Sequence, residues 1–299
     1  MDANGGLTRR RLLVGAAATV AAAGTTTGLV AAGVLPGRTR LREALGWNGP
    51  AGRIPDVAPG PSVDGTITSP SMPGPVAWRI AYPPGTSPGD ALPIAVWLHG
   101  KEGDERSAFD ELGLDRFLAT AVADGAAPFA LASVAGGDGY WHERDDGTDS
   151  GRMVVEDLLP ALQRRGLDLD RLALAGWSMG GYGALLLAER HGEDLGVRAV
   201  ATMSAAIWED PDDGLEAGAF DDETQARAHD VLAATEALSR TPMRVDCGAD
   251  DPFADANRLL RERCSPTPAG GLDAGAHTVG YWRRVAPDHI GFLSRQLSS

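Results

Sequence analysis

The chain has 299 residues, of which 43% are hydrophobic, 23% are charged and only 6% are aromatic. This length suits one large α/β domain with additional segments, and the composition suits a core of small aliphatic side chains. The formal net charge of −14 argues against nucleic acid or an anionic lipid surface as a partner, since both bind basic protein faces.

Residues 1–35 predict an export segment that is not part of the fold. Arg9, Arg10 and Arg11 precede a mildly apolar run over residues 14–35 that is rich in alanine, glycine and threonine. A polybasic start followed by a weakly hydrophobic core is typical of a twin-arginine export signal. We therefore expect an extracellular or cell-envelope protein. The run is also long enough to span a bilayer, so an uncleaved membrane anchor stays open as the alternative.

Residues 36–65 predict a tether with little structure of its own, because proline and glycine are dense there. A catalytic domain is expected over residues 66–299, where apolar strand-like runs alternate with helical stretches. The predicted strands cover residues 76–82, 94–98, 129–134, 172–175, 197–203 and 243–247, and a short last strand lies near Leu272 and Asp273. The predicted helices cover residues 112–123, 151–165, 179–191, 229–238 and 254–263. This alternation indicates an α/β fold, a mostly parallel central sheet with helices on both faces.

The alternation of strands and helices is interrupted at residues 208–223, which contain eight carboxylates. We expect a solvated loop leading out of a late strand. Loops of this kind also rim the functional sites of such sheets, so a role as a lid stays open.

Two cysteines, Cys247 and Cys264, also leave two interpretations. Export would place them in an oxidising compartment, where a disulfide between them is permitted. Two buried free thiols are the other interpretation, because the sequence does not set the distance between them.

The segment Gly176-Trp177-Ser178-Met179-Gly180 is the strongest chemical signal in the chain. It places a Gly-x-Ser-x-Gly pattern between an apolar run and a helical run, the context of a serine nucleophile in an α/β-hydrolase fold. The two glycines allow a strand to pass into a helix through a tight turn with Ser178 at its apex. The Met179 N–H, at the start of the helix, can then stabilise an oxyanion. The alternative is a turn whose serine only caps the helix.

A serine nucleophile needs a histidine as base and a carboxylate that orients the histidine. In this fold both follow the serine along the chain, the carboxylate after a late strand and the histidine after the last one. His277 lies where the histidine is expected, because it follows the short last strand after a flexible segment of alanine and glycine. The predicted strand over residues 243–247 and the residues after it offer four candidates for the carboxylate: Asp251, Asp250, Asp246 and Asp255.

The other five histidines have different expected positions. His99 directly follows a strand, at a place where such sheets build the other half of an oxyanion hole. His142 lies in a loop after a strand and could line the pocket. The remaining three are expected at helix ends or on the surface: His191, His229 and His289.

Four segments carry a family resemblance: Leu98-His99-Gly100, Gly176-Trp177-Ser178-Met179-Gly180-Gly181, Gly248-x-x-Asp251-x-Phe253 and Gly275-x-His277-x-x-x-Tyr281-Trp282. Together and in this order they resemble the esterase D / antigen 85 family of α/β-hydrolases. The resemblance runs over residues 67–297. The Gly-x-Ser-x-Gly pattern alone would be shared with many hydrolases, whereas the other segments are far more specific.

The resemblance implies particular site residues. It implies that Asp251 rather than Asp250 is the acid of the triad. It also implies that the backbone N–H groups of Met179 and Lys101, the latter next to Gly100, form the oxyanion hole. We further expect substrate contacts at five residues: His99, Gly100, Trp141, His142 and Trp177. No metal or organic cofactor is expected, since no cluster of cysteine and histidine has the spacing of metal ligands.

The expected function is that of a serine esterase, which cleaves carboxylic esters through an acyl-enzyme on Ser178. Its substrate would be a small-molecule, lipid or carbohydrate ester. One alternative is acyl transfer to an acceptor alcohol, as the antigen 85 branch of the family implies. A less favoured alternative is a non-catalytic homologue that uses the fold for binding. Export fits poorly with the formylglutathione hydrolases of the family, whose substrate is cytosolic.

Overall fold

The computed structural model describes residues 46–298. The export segment expected at residues 1–35 and the start of the expected tether lie outside these residues. The chain divides into a unit ending at Gly49 and a unit from Pro50 to Ser299. The described end of the first unit is a single turn, closed by a hydrogen bond from the Gly49 N–H to the Gly46 oxygen at 3.3 Å. Within residues 46–298, no helix combines the length and the hydrophobicity needed to cross a membrane.

The second unit contains an eight-stranded sheet. Its strands occur in the order β1-β2-β4-β3-β5-β6-β7-β8, with β2 antiparallel to both of its neighbours and every other pair parallel. This confirms the predicted mostly parallel sheet. The bounds are β1 Ser62–Thr68, β2 Pro75–Ala81, β3 Pro93–Leu98, β4 Ala130–Val134, β5 Asp168–Trp177, β6 Ala199–Met203, β7 Met243–Gly248 and β8 Leu272–Asp273.

Helices cover both faces of this sheet. Successive side chains of β3 point to opposite faces, so Val96 packs into one hydrophobic cluster and Trp97 into the other. The bounds are α1 Ser107–Asp110, α2 Leu114–Ala123, α3 Ser150–Met153, α4 Leu159–Arg164, α5 Met179–His191, α6 Pro211–Glu216, α7 Glu223–Ala228, α8 Thr235–Leu238, α9 Ala254–Arg263 and α10 Val279–Leu297. One π-helical segment, Val154–Leu158, joins α3 to α4.

The tether predicted over residues 36–65 extends too far, because its last residues form the start of β1. Strand β1 begins at Ser62 and pairs with β2. Before it, the Gly52 N–H donates to the Gly280 oxygen at 2.7 Å. A Cβ added to Gly52 would lie 2.1 Å from the Arg284 nitrogen, so the backbone contact itself requires glycine. The proline and glycine content of this segment indicates how stiff the chain is. It carries no information about pairing partners that lie far away in the sequence.

Two predictions for the later part of the chain also need correction. The helix expected over residues 229–238 is reduced to α8, and His229 is buried at the end of α7. The acidic segment is not simply a solvated loop, because it contains α6 and the start of α7. Asp210 and Asp222 cap these helices by accepting hydrogen bonds from backbone N–H groups at 3.0 and 2.7 Å.

Both cysteines, Cys247 and Cys264, are buried and free, as one of the two interpretations of the sequence expects.

His289 is not the surface residue that the sequence predicts. Its side chain is fully buried, and its Nε2 lies 2.9 Å from the Asp246 carboxylate. The Arg244 guanidinium approaches the same carboxylate at 2.7 Å. Burial alone would raise the pKa of Asp246, but the contacts with His289 and Arg244 hold it below its usual value. Asp246 therefore holds a buried charged cluster between β7 and α10.

Replacing Asp246 should destabilise the fold far more than replacing an exposed carboxylate. In Asp246→Ala, the Arg244 cation loses its buried partner, which should lower the free energy of unfolding by about 3 kcal/mol. The matched control is Asp64→Ala, whose side chain pairs with Arg79 at 2.6 Å but is 56% exposed. That change should cost less than about 1 kcal/mol. Urea denaturation measures both, and equal losses would contradict this account.

Candidate active site

Ser178 occupies a strained turn between β5 and α5. Its backbone has φ of 53° and ψ of −123°, a left-handed conformation that non-glycine residues rarely adopt. Two backbone hydrogen bonds hold it there: its N–H donates to the Met203 oxygen at 3.0 Å, and its oxygen accepts from the Ala206 N–H at 2.9 Å. A Cβ added to Gly180 would lie 2.0 Å from the Leu98 oxygen. Glycine is therefore required for this turn to pack against β3.

A continuous chain of hydrogen-bonding groups joins three side chains. His277 Nε2 lies 2.8 Å from Ser178 Oγ, and His277 Nδ1 lies 2.9 Å from Asp251 Oδ2. The Asp251 side chain is fully buried, whereas that of His277 is 26% exposed. A carboxylate only accepts hydrogen bonds, so Nδ1 carries the proton and Nε2 is free to accept the serine proton.

The ends of β7 and β8 bring Asp251 and His277 together. Backbone hydrogen bonds join the two following loops, from Ala249 N–H to the Asp273 oxygen at 2.7 Å and from Asp250 N–H to the Gly275 oxygen at 2.8 Å. The other oxygen of the Asp251 carboxylate accepts the Phe253 N–H at 3.0 Å. The acid is thus fixed in orientation from its own loop.

Of the four aspartates considered for the acid, the structure brings Asp251 to His277. Asp246 instead holds the buried cluster with His289. Asp255 pairs with Arg258 on the first turn of α9.

The expected oxyanion-hole donors lie beside the nucleophile. Met179 is the first residue of α5, and its N–H has no acceptor within the helix. A Cβ added to Gly100 would lie 3.3 Å from Ser178 Cβ, so the turn that carries Lys101 contacts the nucleophile. The Lys101 residue itself is exposed.

The His99 ring does not lie where it could contact a substrate. It is completely buried, and its Nε2 accepts the Gly136 N–H at 3.0 Å. Its Nδ1 therefore carries the proton and donates to the Gly100 oxygen at 2.7 Å. Burial lowers the pKa of His99, which keeps the ring neutral. Both ring nitrogens therefore form hydrogen bonds with the backbone of neighbouring turns.

Trp141 and His142 are likewise buried. The Trp141 ring packs where a Cβ on Gly136 or Gly183 would lie 2.3 or 2.4 Å from it. The two ring nitrogens of His142 lie 2.8 and 2.9 Å from the backbone oxygens of Glu143 and Ala219. Trp141 and His142 border a separate cavity of about 270 Å³, whose lining residues include none of the triad. Their expected substrate contacts are not supported by these positions.

Trp177 and Gly100 do lie against the nucleophile. A Cβ added to Gly100 would lie 2.8 Å from the Trp177 indole nitrogen. The Trp177 ring is itself buried and lies 6.4 Å from the Trp282 ring. It packs beneath the turn that carries Lys101.

Two aromatic side chains that were not predicted as site residues contact His277, and a third packs against one of them. The rings of Phe253 and Trp282 meet the His277 ring edge-on, with centroid distances of 5.3 and 5.0 Å. Trp208 packs edge-on against Phe253 at 5.7 Å. Phe253 and Trp282 belong to the two segments that carry the family resemblance, and that signal could have identified them. Trp208 has no comparable local signal.

The fold and this site define the class of the protein: an α/β-hydrolase with a serine nucleophile turn, a histidine and a buried aspartate. The Esterase family, described as "Putative esterase", matches residues 69–267. The chain belongs to this family, and it is a carboxylic ester hydrolase. No curated protein matches the sequence.

Solved structures with the same fold are distant in sequence. A ferulic acid esterase is 22% identical with a TM-score of 0.69, and the match covers 79% of this chain and 98% of that chain. S-formylglutathione hydrolase from Staphylococcus aureus is 17% identical with a TM-score of 0.63, covering 78% and 98%. MPT51 from Mycobacterium tuberculosis is 17% identical with a TM-score of 0.63, covering 80% and 99%. At these identities the likeness shows the fold alone.

The stability of the protein should fall as the pH drops from about 6.5 to about 4. Burial lowers the pKa of His142 from 6.5 to about 4, so the unfolded chain binds this proton first as the pH falls. The stabilisation is fully present above pH 6.5 and is lost towards pH 4, by up to about 1.4 kcal/mol per pH unit.

The variant His142→Gln should show a shallower loss of stability over this interval, measured by urea unfolding at several pH values. Some slope should persist, because burial also lowers the pKa of His99 and His229. Above pH 7.5 the pH dependence of the two proteins should coincide, which provides an internal control. An unchanged slope between pH 6.5 and 4.5 would exclude His142 as its source.

Proposed function

We propose that the protein hydrolyses carboxylic esters through an acyl-enzyme on Ser178, with His277 as base and Asp251 as the acid that orients it. The observation that carries this proposal is the continuous chain of contacts at 2.8 and 2.9 Å that joins the three side chains. A complete and aligned triad also argues against a homologue that only binds ligands.

In the first half of the reaction, Ser178 Oγ bonds to the ester carbonyl carbon while His277 Nε2 takes the hydroxyl proton. The negative charge that develops on the carbonyl oxygen faces the N–H groups of Met179 and Lys101. When the tetrahedral species collapses, the bond to the alcohol oxygen breaks and His277 returns the proton to that oxygen. The alcohol leaves, and the acyl group stays on Ser178.

In the second half, water takes the place of the alcohol. His277 removes its proton as the water oxygen bonds to the acyl carbon, and the bond to Ser178 Oγ breaks with the same proton returned to the serine. Throughout, Asp251 accepts the Nδ1–H and stabilises the imidazolium without taking up the proton. An acceptor alcohol in place of water would give acyl transfer instead.

The substrate that the site favours is a small ester with an apolar or aromatic group. Phe253 and Trp282 put aromatic rings beside His277, and Trp208 packs against Phe253. Such rings bind apolar groups and stack on planar ones. One of the similar structures is a ferulic acid esterase, and ferulic acid is an aromatic acid. A panel of p-nitrophenyl acyl esters and methyl esters of aromatic acids, with and without acceptor alcohols, tests substrate preference and separates hydrolysis from acyl transfer.

The variant Ser178→Ala should lose ester hydrolysis while keeping its folded structure. Removal of a triad nucleophile lowers kcat by roughly 10⁶-fold. The assay is hydrolysis of p-nitrophenyl esters by purified protein, with circular dichroism as the check on folding. A serine-directed phosphonate should label the wild-type protein at Ser178, located by mass spectrometry of the peptides. Activity above a few per cent in the variant, or an adduct on another residue, would refute the assignment.

We further propose that residues 1–35 direct export by the twin-arginine route, with a membrane anchor as the alternative outcome. Support comes from the three consecutive arginines before a weakly apolar run. The route carries folded proteins, which suits a sheet whose strands pair over long sequence distances and would fold slowly.

Replacing Arg9, Arg10 and Arg11 with lysine should keep the protein in the cytoplasm, because the export receptor reads the arginine pair. All three are replaced since either adjacent pair could be read. Cell fractionation should find the wild type outside the cytoplasm and the variant inside. Normal export of the variant would contradict the twin-arginine proposal. Residues 1–35 would then be interpreted as a general secretory signal or a simple membrane anchor.

A further inference from the structure

The turn after β3, Gly100 to Gly103, is joined to the loop after β4 at two separate points. One is the buried His99 ring, which bridges the Gly100 oxygen and the Gly136 N–H. The other is Asp138, whose Oδ1 accepts the Glu102 N–H at 2.7 Å. Asp138 and Glu102 are exposed, so this second connection lies on the outer side of the turn.

The first connection fixes the direction of the Lys101 N–H. The Gly100 oxygen and the Lys101 nitrogen belong to one planar trans peptide, so the C=O and the N–H point in opposite directions. The Gly100 oxygen accepts hydrogen bonds from His99 Nδ1 at 2.7 Å and from the Gly103 N–H at 3.1 Å. As long as these bonds hold, the Lys101 N–H points away from them.

The second connection holds a strained residue. Glu102 has φ of 64°, in the left-handed region that side chains with a Cβ disfavour. Such a conformation persists only when the surroundings fix it. The hydrogen bond from the Glu102 N–H to Asp138 fixes the peptide that joins Lys101 to Glu102. Without it, Glu102 can relax towards ordinary dihedral angles, and the Gly103 N–H that follows it then moves away from the Gly100 oxygen. One of the two hydrogen bonds that orient the Gly100–Lys101 peptide is thereby lost.

We propose that Asp138 is a positioning residue for the oxyanion hole: through Glu102 it keeps the Lys101 N–H aimed at the carbonyl oxygen of the substrate. This rests on the proposed function, because it assigns Lys101 a role in the same reaction. The Asp138 side chain contacts the turn, and it acts on the reaction through that turn alone.

The variant Asp138→Ala tests the proposal by separating kcat from KM. An oxyanion-hole donor is needed most in the transition state, so kcat should fall by about 10- to 100-fold while KM changes by less than about twofold. A trifluoromethyl ketone forms a hemiketal on the nucleophile and places an oxyanion in the hole. Its affinity should fall by the same factor as kcat/KM. Asp138→Asn keeps an oxygen acceptor and should recover most of both losses.

The matched control is Asp146→Ala. Asp146 is also an exposed aspartate that accepts a backbone N–H, from Thr148 at 2.9 Å, in the loop before α3. This change should alter neither kcat nor the affinity for the ketone. If Asp138→Ala binds the ketone as tightly as the wild type, or if Asp138→Asn is as impaired as Asp138→Ala, the inference is overturned while the proposed function stands. Failure of the wild type to be labelled at Ser178 would overturn the proposed function, and this inference with it.

Discussion

The close crossing of two backbone segments is the constraint on which the rest of the structure depends. At the start of α5, a Cβ on Gly180 would lie 2.0 Å from the Leu98 oxygen at the end of β3. No side chain fits between them, so the nucleophile turn and the end of β3 are in direct contact. Because Gly100 lies two residues beyond Leu98, the same crossing brings the turn that carries Lys101 against Ser178. One packing contact therefore sets the positions of both the nucleophile and an expected hydrogen-bond donor to the oxyanion.

The other half of the site depends on a second close approach of backbone. A Cβ added to Gly248, at the end of β7, would lie 2.4 Å from the Gly275 carbonyl carbon. This contact holds the loop of Asp251 against the loop of His277, so their separation is set by main chain rather than by flexible side chains. The Esterase family membership of the chain and its ester hydrolase activity are consistent with a site built in this way.

Features that depend on neighbouring residues could be predicted from the sequence, and features that depend on distant partners could not. Helices α5 and α9 have the bounds that their patterns predict, because residue spacing and terminal signals are local. The pairing of β1 and the burial of His289 depend on residues far along the chain, and the local sequence carries no information about them. Two aromatic side chains illustrate both cases: Phe253, which contacts His277, lies in a recognisable segment, and Trp208, which packs against Phe253, does not.

Backbone strain in the described residues is concentrated where the chemistry is expected. Five non-glycine residues have a left-handed φ, and each follows one of the strands β3 to β6: Glu102, Tyr140, Trp141, Ser178 and Ser204. The carboxyl ends of these parallel strands meet at one edge of the sheet, where ligands bind in folds of this class. Fully buried strands such as β3 and β4 stabilise the fold and allow this edge to keep conformations that a loop alone would not hold. A substitution that relieved the strain could therefore stabilise the protein and still displace the groups that must face the substrate.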